Sequence, residues 1–309
     1  MYLKRMKKHL TQLIAAIVIA ANCHAQDTTM RVQDTTMMRA TDTILTINEP
    51  IQSVVSEEVP PANPRYKVKL AVDIPLTVVA CGTTMYGFSK IYNRDRLTEE
   101  EVLALDPQDV NGFDRRATRN LDEKWSKIGD YLFYGSQPLP LVLLFDKRMR
   151  KDFPRILLVY LETMGITGVP YVSAVSAADR IRPYAYNPEA SMDFRTRGGA
   201  RNSFYAGHPA LVATSTFFMA STICYYHPES KVKWLYYTLA GAATATTAIA
   251  RYKGGRHFPT DLMVGVAMGT LAGNLVPYFH RNKDYKKRKT TFMPFYGNQS
   301  TGIAVVHRF

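Results

Sequence analysis

A histidine and an aspartate four residues apart, His257 and Asp261, stand at the junction of two apolar runs. Arg251, Lys253, Arg256 and the pair Gly254-Gly255 lie in the same stretch, Ala250 to Asp261. Four residues is about one turn of helix. A helix starting near Phe258-Pro259 therefore lets the Asp261 carboxylate reach back to one imidazole nitrogen of His257 and set its tautomer. The other nitrogen is then a nucleophile. Cationic side chains around it are what an imidazole attacking a phosphate ester requires, because the ester's charge must be held and the transition-state charge spread.

Two further clusters lie upstream, Asp179-Arg180-Ile181-Arg182-Pro183-Tyr184 and Ser203-Phe204-Tyr205-Ala206-Gly207-His208. Followed by Arg251, His257 and Asp261 at their spacing, they resemble in order the three signatures of the type 2 phosphatidic acid phosphatase (PAP2) and vanadium haloperoxidase superfamily. The resemblance runs over residues 70 to 280. It implies an all-α bundle of about six helices and a phosphatase that works through a phosphohistidine, with no metal and no other cofactor. His257 is then the nucleophile and Asp261 its orienting acid. His208 protonates the leaving oxygen and later activates water. Arg182 and Arg251 clamp the phosphate through planar, bidentate hydrogen bonds, and Gly207 offers an unobstructed amide. Taken singly, His208 reads equally well as a helix-capping residue, and Arg182 and Arg251 as residues snorkelling at a membrane surface. Arg180 and Arg256 read as structural as readily as functional.

Two departures from the family pattern stand out. The lysine of the first signature, seven positions before Arg182, is replaced by Val175, and the serine of the second is replaced by Ala206. If each missing group made one bond to the phosphoryl group, the loss would be about 1 to 3 kcal/mol apiece. That deficit weakens binding and leaves nucleophile and proton donor in place. A phosphate-binding relic without turnover is the alternative reading. The missing lysine argues against halide oxidation.

The elements that must position these residues are six apolar runs: Leu70 to Phe88, Tyr131 to Phe145, Ile156 to Ala178, Pro209 to Tyr226, Val232 to Ala250 and Leu262 to Phe279. The last two are rich in Gly, Ala and Thr, residues that let helices approach closely. Glu162 interrupts the third, and an ionisable residue in a span marks a bundle-facing position. Leu97 to Asn120 is charged and amphipathic, suited to a membrane surface. Residues 1–25 have a basic start and an apolar centre, the pattern of a signal peptide or an uncleaved anchor. Residues 26–65, rich in Thr and Asp with Gln-Asp-Thr-Thr-Met twice, read as a disordered spacer. The helical domain is then 66–282. The segment 283–309 holds a basic run, Lys286 to Lys289, and a β-like tail at Ile303 to Val306.

The 309 residues carry a net charge of +13 and are 46% hydrophobic. Short basic loops between apolar runs indicate a membrane-seated protein with a phosphorylated lipid as partner, and no nucleic-acid motif is present. Cys23, Cys81 and Cys224 show no metal-type spacing. The oligomeric state is not encoded in any feature of the sequence. The expected place is the bacterial cell envelope, in the inner membrane with the site facing the periplasm. A cleaved signal followed by a full crossing at Leu70 to Phe88 would instead turn the site to the cytoplasm. A mean hydropathy of −0.17 keeps a soluble periplasmic or outer-membrane-associated form as the alternative.

Overall fold

The computed structural model describes residues 64–283, 290–296 and 301–307. The leader at 1–25, all but the end of the 26–65 spacer, and the basic run at 286–289 lie outside them. Eight α-helices occur among the described residues: α1 (Leu70–Tyr92), α2 (Glu99–Leu103), α3 (Glu123–Ser136), α4 (Lys147–Ala178), α5 (Met192–Arg195), α6 (Gly207–Tyr226), α7 (Lys233–Lys253) and α8 (Pro259–Phe279). Two antiparallel strands follow, β1 (Thr290–Tyr296) and β2 (Thr301–His307), with Met293 opposite Ala304. The tail is thus a hairpin.

Among the described residues, three segments are long and apolar enough to cross a membrane: Leu70–Tyr92, Lys147–Tyr186 and Pro259–Phe279. In α1 the apolar residues point outward. Leu70, Val72, Leu76, Val78, Val79 and Tyr86 are exposed, while the inward set is Asp73, Thr77, Ala80, Thr84 and Ile91. A soluble helix has the opposite pattern, so this face is built for lipid. The chain is a membrane protein on that evidence. Small inward residues bring α1 against α4: a Cβ added at Gly165 would sit 2.8 Å from the Ala80 Cβ, and one at Gly168 would sit 2.3 Å from the Thr84 Cγ2.

The six expected runs are not six simple spans. Tyr131 to Phe145 divides into the end of α3 and a 3₁₀ segment, Leu139–Phe145. Pro138 and Pro140 lack the N–H that would carry an α-helix through. Helix α6 is a core element, with residues buried all around it, including Thr214, Ser215, Ser221 and Thr222. The hydroxyl of Thr214 is satisfied by the Ala210 carbonyl at 2.9 Å.

Helix α8 sets the height of α6. Gly265, Gly269 and Gly273 recur every fourth residue and lie against the α6 backbone. A Cβ at Gly265 would come within 2.3 Å of the Ala206 oxygen, and one at Gly269 within 2.0 Å of the Ala210 oxygen. Only glycine permits that approach. The start of α8, which follows His257, is thereby held beside the start of α6, which carries His208.

Candidate active site

His257 lies in the tight loop between α7 and α8 and is 1% exposed. Its Nδ1 is 2.7 Å from the Ser203 carbonyl oxygen. A carbonyl only accepts, so Nδ1 carries the hydrogen and Nε2 presents a lone pair. Asp261 does not supply this bond, contrary to the sequence expectation, because its Oδ2 stands 3.8 Å from Nδ1. That carboxylate is taken up elsewhere. It accepts from the Ser203 hydroxyl at 2.6 Å, from the Phe258 amide at 2.9 Å and from Arg180. As the third residue of α8 it caps the helix, and through Ser203 it fixes the carbonyl that orients His257.

Burial holds the His257 imidazole well below its ordinary value, at about 4. The charges of Arg182 and Arg251 act in the same direction, and Asp261 opposes them. The ring is therefore neutral at physiological pH.

Gly255, two residues earlier, has φ +64°, the left-handed region, and a Cβ there would meet the Asn120 oxygen at 2.1 Å. Its carbonyl accepts from the Tyr184 amide at 2.9 Å, tying the His257 loop to the Arg182-Pro183 turn. Glycine is required at this position on both counts.

His208 occupies the first turn of α6, where helical amides have no intrahelical acceptor. Gly207 precedes it against the Tyr171 ring, and an added Cβ would lie 2.6 Å from that ring. The Phe133 ring packs on the imidazole with centroids 4.4 Å apart. Nε2 is 3.2 Å from Asp130 Oδ1. Burial lowers the His208 value to about 3, with Asp130 pulling upward, and His257 is near enough for its charge to contribute.

Asp130, on α3, was not foreseen from the sequence. Its Oδ1 also accepts from Arg251 Nη2 at 2.6 Å. Burial raises its pKa, but the His208 bond and the Arg251 charge outweigh burial and bring it to about 2. A lone acid ahead of an apolar run is the only sequence signal it leaves. Ser203 was noticed as part of a motif, but its carbonyl and hydroxyl roles were not.

The arginines divide into two groups. Arg251 is 5% exposed, its Nη1 donates to the Ser126 carbonyl at 3.2 Å, and its Nε is buried without a hydrogen-bond partner among the described residues. Burial lowers its pKa to about 10, opposed by Asp130 and assisted by Arg182 and Arg256. Arg182 donates from Nε to the Asn202 carbonyl at 3.1 Å, and Arg256 from Nε to Ser126 Oγ at 2.9 Å. Arg182, Arg251 and Arg256 thus crowd their charges together, an arrangement suited to an anion.

Arg180 is committed elsewhere. It bridges the buried carboxylates Asp114 and Asp261 and lies 4.3 Å over the Phe258 ring. Asp114 in turn holds the Thr260 hydroxyl at 2.6 Å. Arg180 is a structural brace, and Arg256 belongs to the cationic group.

Val175 is 1% exposed within a cluster of Ile91, Tyr171, Val172, Tyr205 and Ala210. Ala206 is fully buried against α8. The positions where the family carries an ammonium and a hydroxyl are apolar packing positions here.

A membrane-type helical bundle here gathers two neutral histidines, a bridging carboxylate and three crowded arginines, a set suited to an anion. Residues 156–285 match the PAP2 superfamily. A lipid A 1-phosphatase of Porphyromonas gingivalis is 30% identical over 125 residues, which cover 37% of this chain and 26% of the relative's length. The chain thus spans about a quarter of that curated relative. A crystal structure of a transmembrane PAP2 type phosphatidylglycerolphosphate phosphatase from Bacillus subtilis is 21% identical. It covers 67% of this chain and 94% of its own, with a TM-score of 0.40.

Proposed function

We propose that this protein hydrolyses a phosphate monoester or diphosphate of a lipid through a phosphohistidine. The observation that carries the reading is His257: its Nδ1–H is spent on the Ser203 carbonyl, which leaves a neutral Nε2 within reach of the Arg182 and Arg251 charges. Nε2 attacks phosphorus in line, and the bond from phosphorus to the leaving oxygen breaks as that oxygen takes a proton from His208. A water that gives its proton to His208 then attacks phosphorus, breaks the P–N bond and releases inorganic phosphate. Arg182 and Arg251, with its unpartnered Nε, hold the phosphoryl oxygens, and Arg256 supplies the positive charge that Val175 lacks. The dianionic substrate raises the low pKa of His208 on binding and so loads the proton donor. Asp130 steadies the resulting imidazolium.

The lipid character rests on a cavity of about 400 Å³ between α3, α6 and α7. Leu132, Val212, Met219, Ile223, Leu239 and Ala243 line it. Val212 lies one helical turn beyond His208, and Tyr131 follows Asp130, so an acyl chain in this cavity leads to the reacting groups. A polar cavity of about 460 Å³ lies on the other side, with Ser126, Glu189, Arg197 and Arg256 in its wall. It suits a large headgroup. The likeness to a lipid A 1-phosphatase makes lipid A phosphates the first substrates to test, with phosphatidic acid, phosphatidylglycerol phosphate and undecaprenyl diphosphate beside them. The site faces the periplasm in this reading.

Phosphate release from that panel by the detergent-purified chain is expected to be lost in His257→Gln, and denaturing at alkaline pH during turnover, which preserves a P–N bond, should trap a phosphorylated chain only when His257 is present. Full hydrolysis by the variant would refute the assignment. Binding without release would instead point to a phosphate-binding relic, and vanadate-dependent bromination to a haloperoxidase.

A further inference from the structure

One helix length from His257, about 30 Å along α8, two carboxylates face an imidazole that the phosphatase chemistry does not use. His280 follows α8, Asp73 sits in the first turn of α1, and Glu162 lies midway along α4. The Nδ1 of His280 is 2.9 Å from the Val276 carbonyl and must carry the hydrogen, since that oxygen can only accept. Its Nε2 faces Glu162 Oε2 at 3.4 Å and Asp73 Oδ2 at 3.7 Å.

These separations exceed the about 2.7 to 2.9 Å at which an imidazolium and a carboxylate close on each other. Glu162 is 3% exposed, and its Oε2 has no hydrogen-bond partner among the described residues. Asp73 Oδ2 receives one amide, that of Lys69 at 2.7 Å. Two buried carboxylates facing one imidazole nitrogen form an unfavourable set unless a positive charge, a proton or a metal cation, lies between them.

The spacing fits such a cation. A tetrahedral ion with ligand bonds of about 2.1 Å holds its ligand atoms roughly 3.4 Å apart. One ligand atom from each of the three residues lies within 4.8 Å of the others. The hydrogen bond from Nδ1 to a backbone carbonyl is the outer-shell support that metal-binding histidines show.

We propose that Asp73, Glu162 and His280 bind a divalent cation of the zinc class, with a water in the fourth position. The two carboxylates neutralise the ion, and the ion ties the start of α1, the middle of α4 and the end of α8 together. The site is structural and stands apart from phosphate hydrolysis.

The test uses the full chain in detergent, stripped with a chelator and then titrated with Zn²⁺ alone. Wild type should retain one more zinc per chain than the double variant Glu162→Gln/His280→Gln, and its Tm should rise with zinc while the variant's does not. Equal zinc content, or equal Tm responses, would overturn the proposal in favour of a proton-bridged cluster. Should the double variant fail to fold, Co²⁺ added to the stripped wild type decides. The visible bands of a four-coordinate site support the proposal, and their absence refutes it.

Discussion

The nitrogen of His257 that keeps its lone pair is chosen by a backbone carbonyl, that of Ser203, and this has consequences for pH dependence. Because burial holds His257 at about 4, the acid limb of kcat/KM should fall near pH 4 and not near the ordinary 6.5. A rate profile of the wild type checks this. The same shift couples to stability. The unfolded chain binds a proton at this histidine near pH 6.5 and the folded chain only near 4, so the folded state loses stability as pH falls from about 6.5 toward 4. His257→Gln removes that contribution, and its Tm should depend less on pH across this window. For Asp130→Asn the sign differs: without the carboxylate, burial and Arg251 leave His208 harder to protonate. The basic limb of the kcat profile should then move to lower pH, with kcat reduced. Among the arginines, Arg256→Ala should cost about tenfold to a hundredfold in kcat/KM, the worth of a charge-assisted bond. Arg180→Ala should act chiefly through Tm, since it leaves Asp114 and Asp261 buried without their partner.

At the scale of elements, the site depends on two glycine features. The turn at Gly255 adopts a left-handed conformation that a side chain disfavours by about 1 to 2 kcal/mol, before the clash with the Asn120 oxygen is counted. Gly255→Ala should lower both Tm and activity, since the displaced loop carries His257. The ladder Gly265, Gly269 and Gly273 sets the distance from α8 to α6. Gly269→Leu would force the helices apart and move His208 from His257, so activity should disappear even in chains that still insert into membranes. Membrane fractionation alongside phosphate release separates the two effects.

For the whole molecule, the outward apolar faces of α1 and α8 require a lipid surround, and the loops carrying Arg182, Ser203 and His257 gather at one end. Those loops are expected to face the periplasm. In a variant whose native cysteines are replaced, a cysteine placed at Arg197, in the wall of the polar cavity, should react with a membrane-impermeant thiol reagent in intact cells with a permeabilised outer membrane. Labelling only after the inner membrane is lysed would place the site on the cytoplasmic side.

The sequence by itself determined the helical class, the three clusters and their order, and the small residues of α8, because helical period, apolar runs and motif spacing are local properties of the chain. It also exposed the two vacant family positions. What it could not determine was which groups meet. Asp130 lies 78 residues from His208 in the chain, and no local pattern marks it as the acceptor shared by His208 and Arg251. The division of labour between Arg180 and Arg256 was equally hidden, because identical side chains acquire different roles only from the carboxylates the fold places beside them. The direct His257–Asp261 bond that spacing suggested failed for a related reason. One helical turn brings the two side chains near each other, but the Ser203 carbonyl, delivered by a remote segment, reaches Nδ1 at better length and leaves Asp261 to hold the frame.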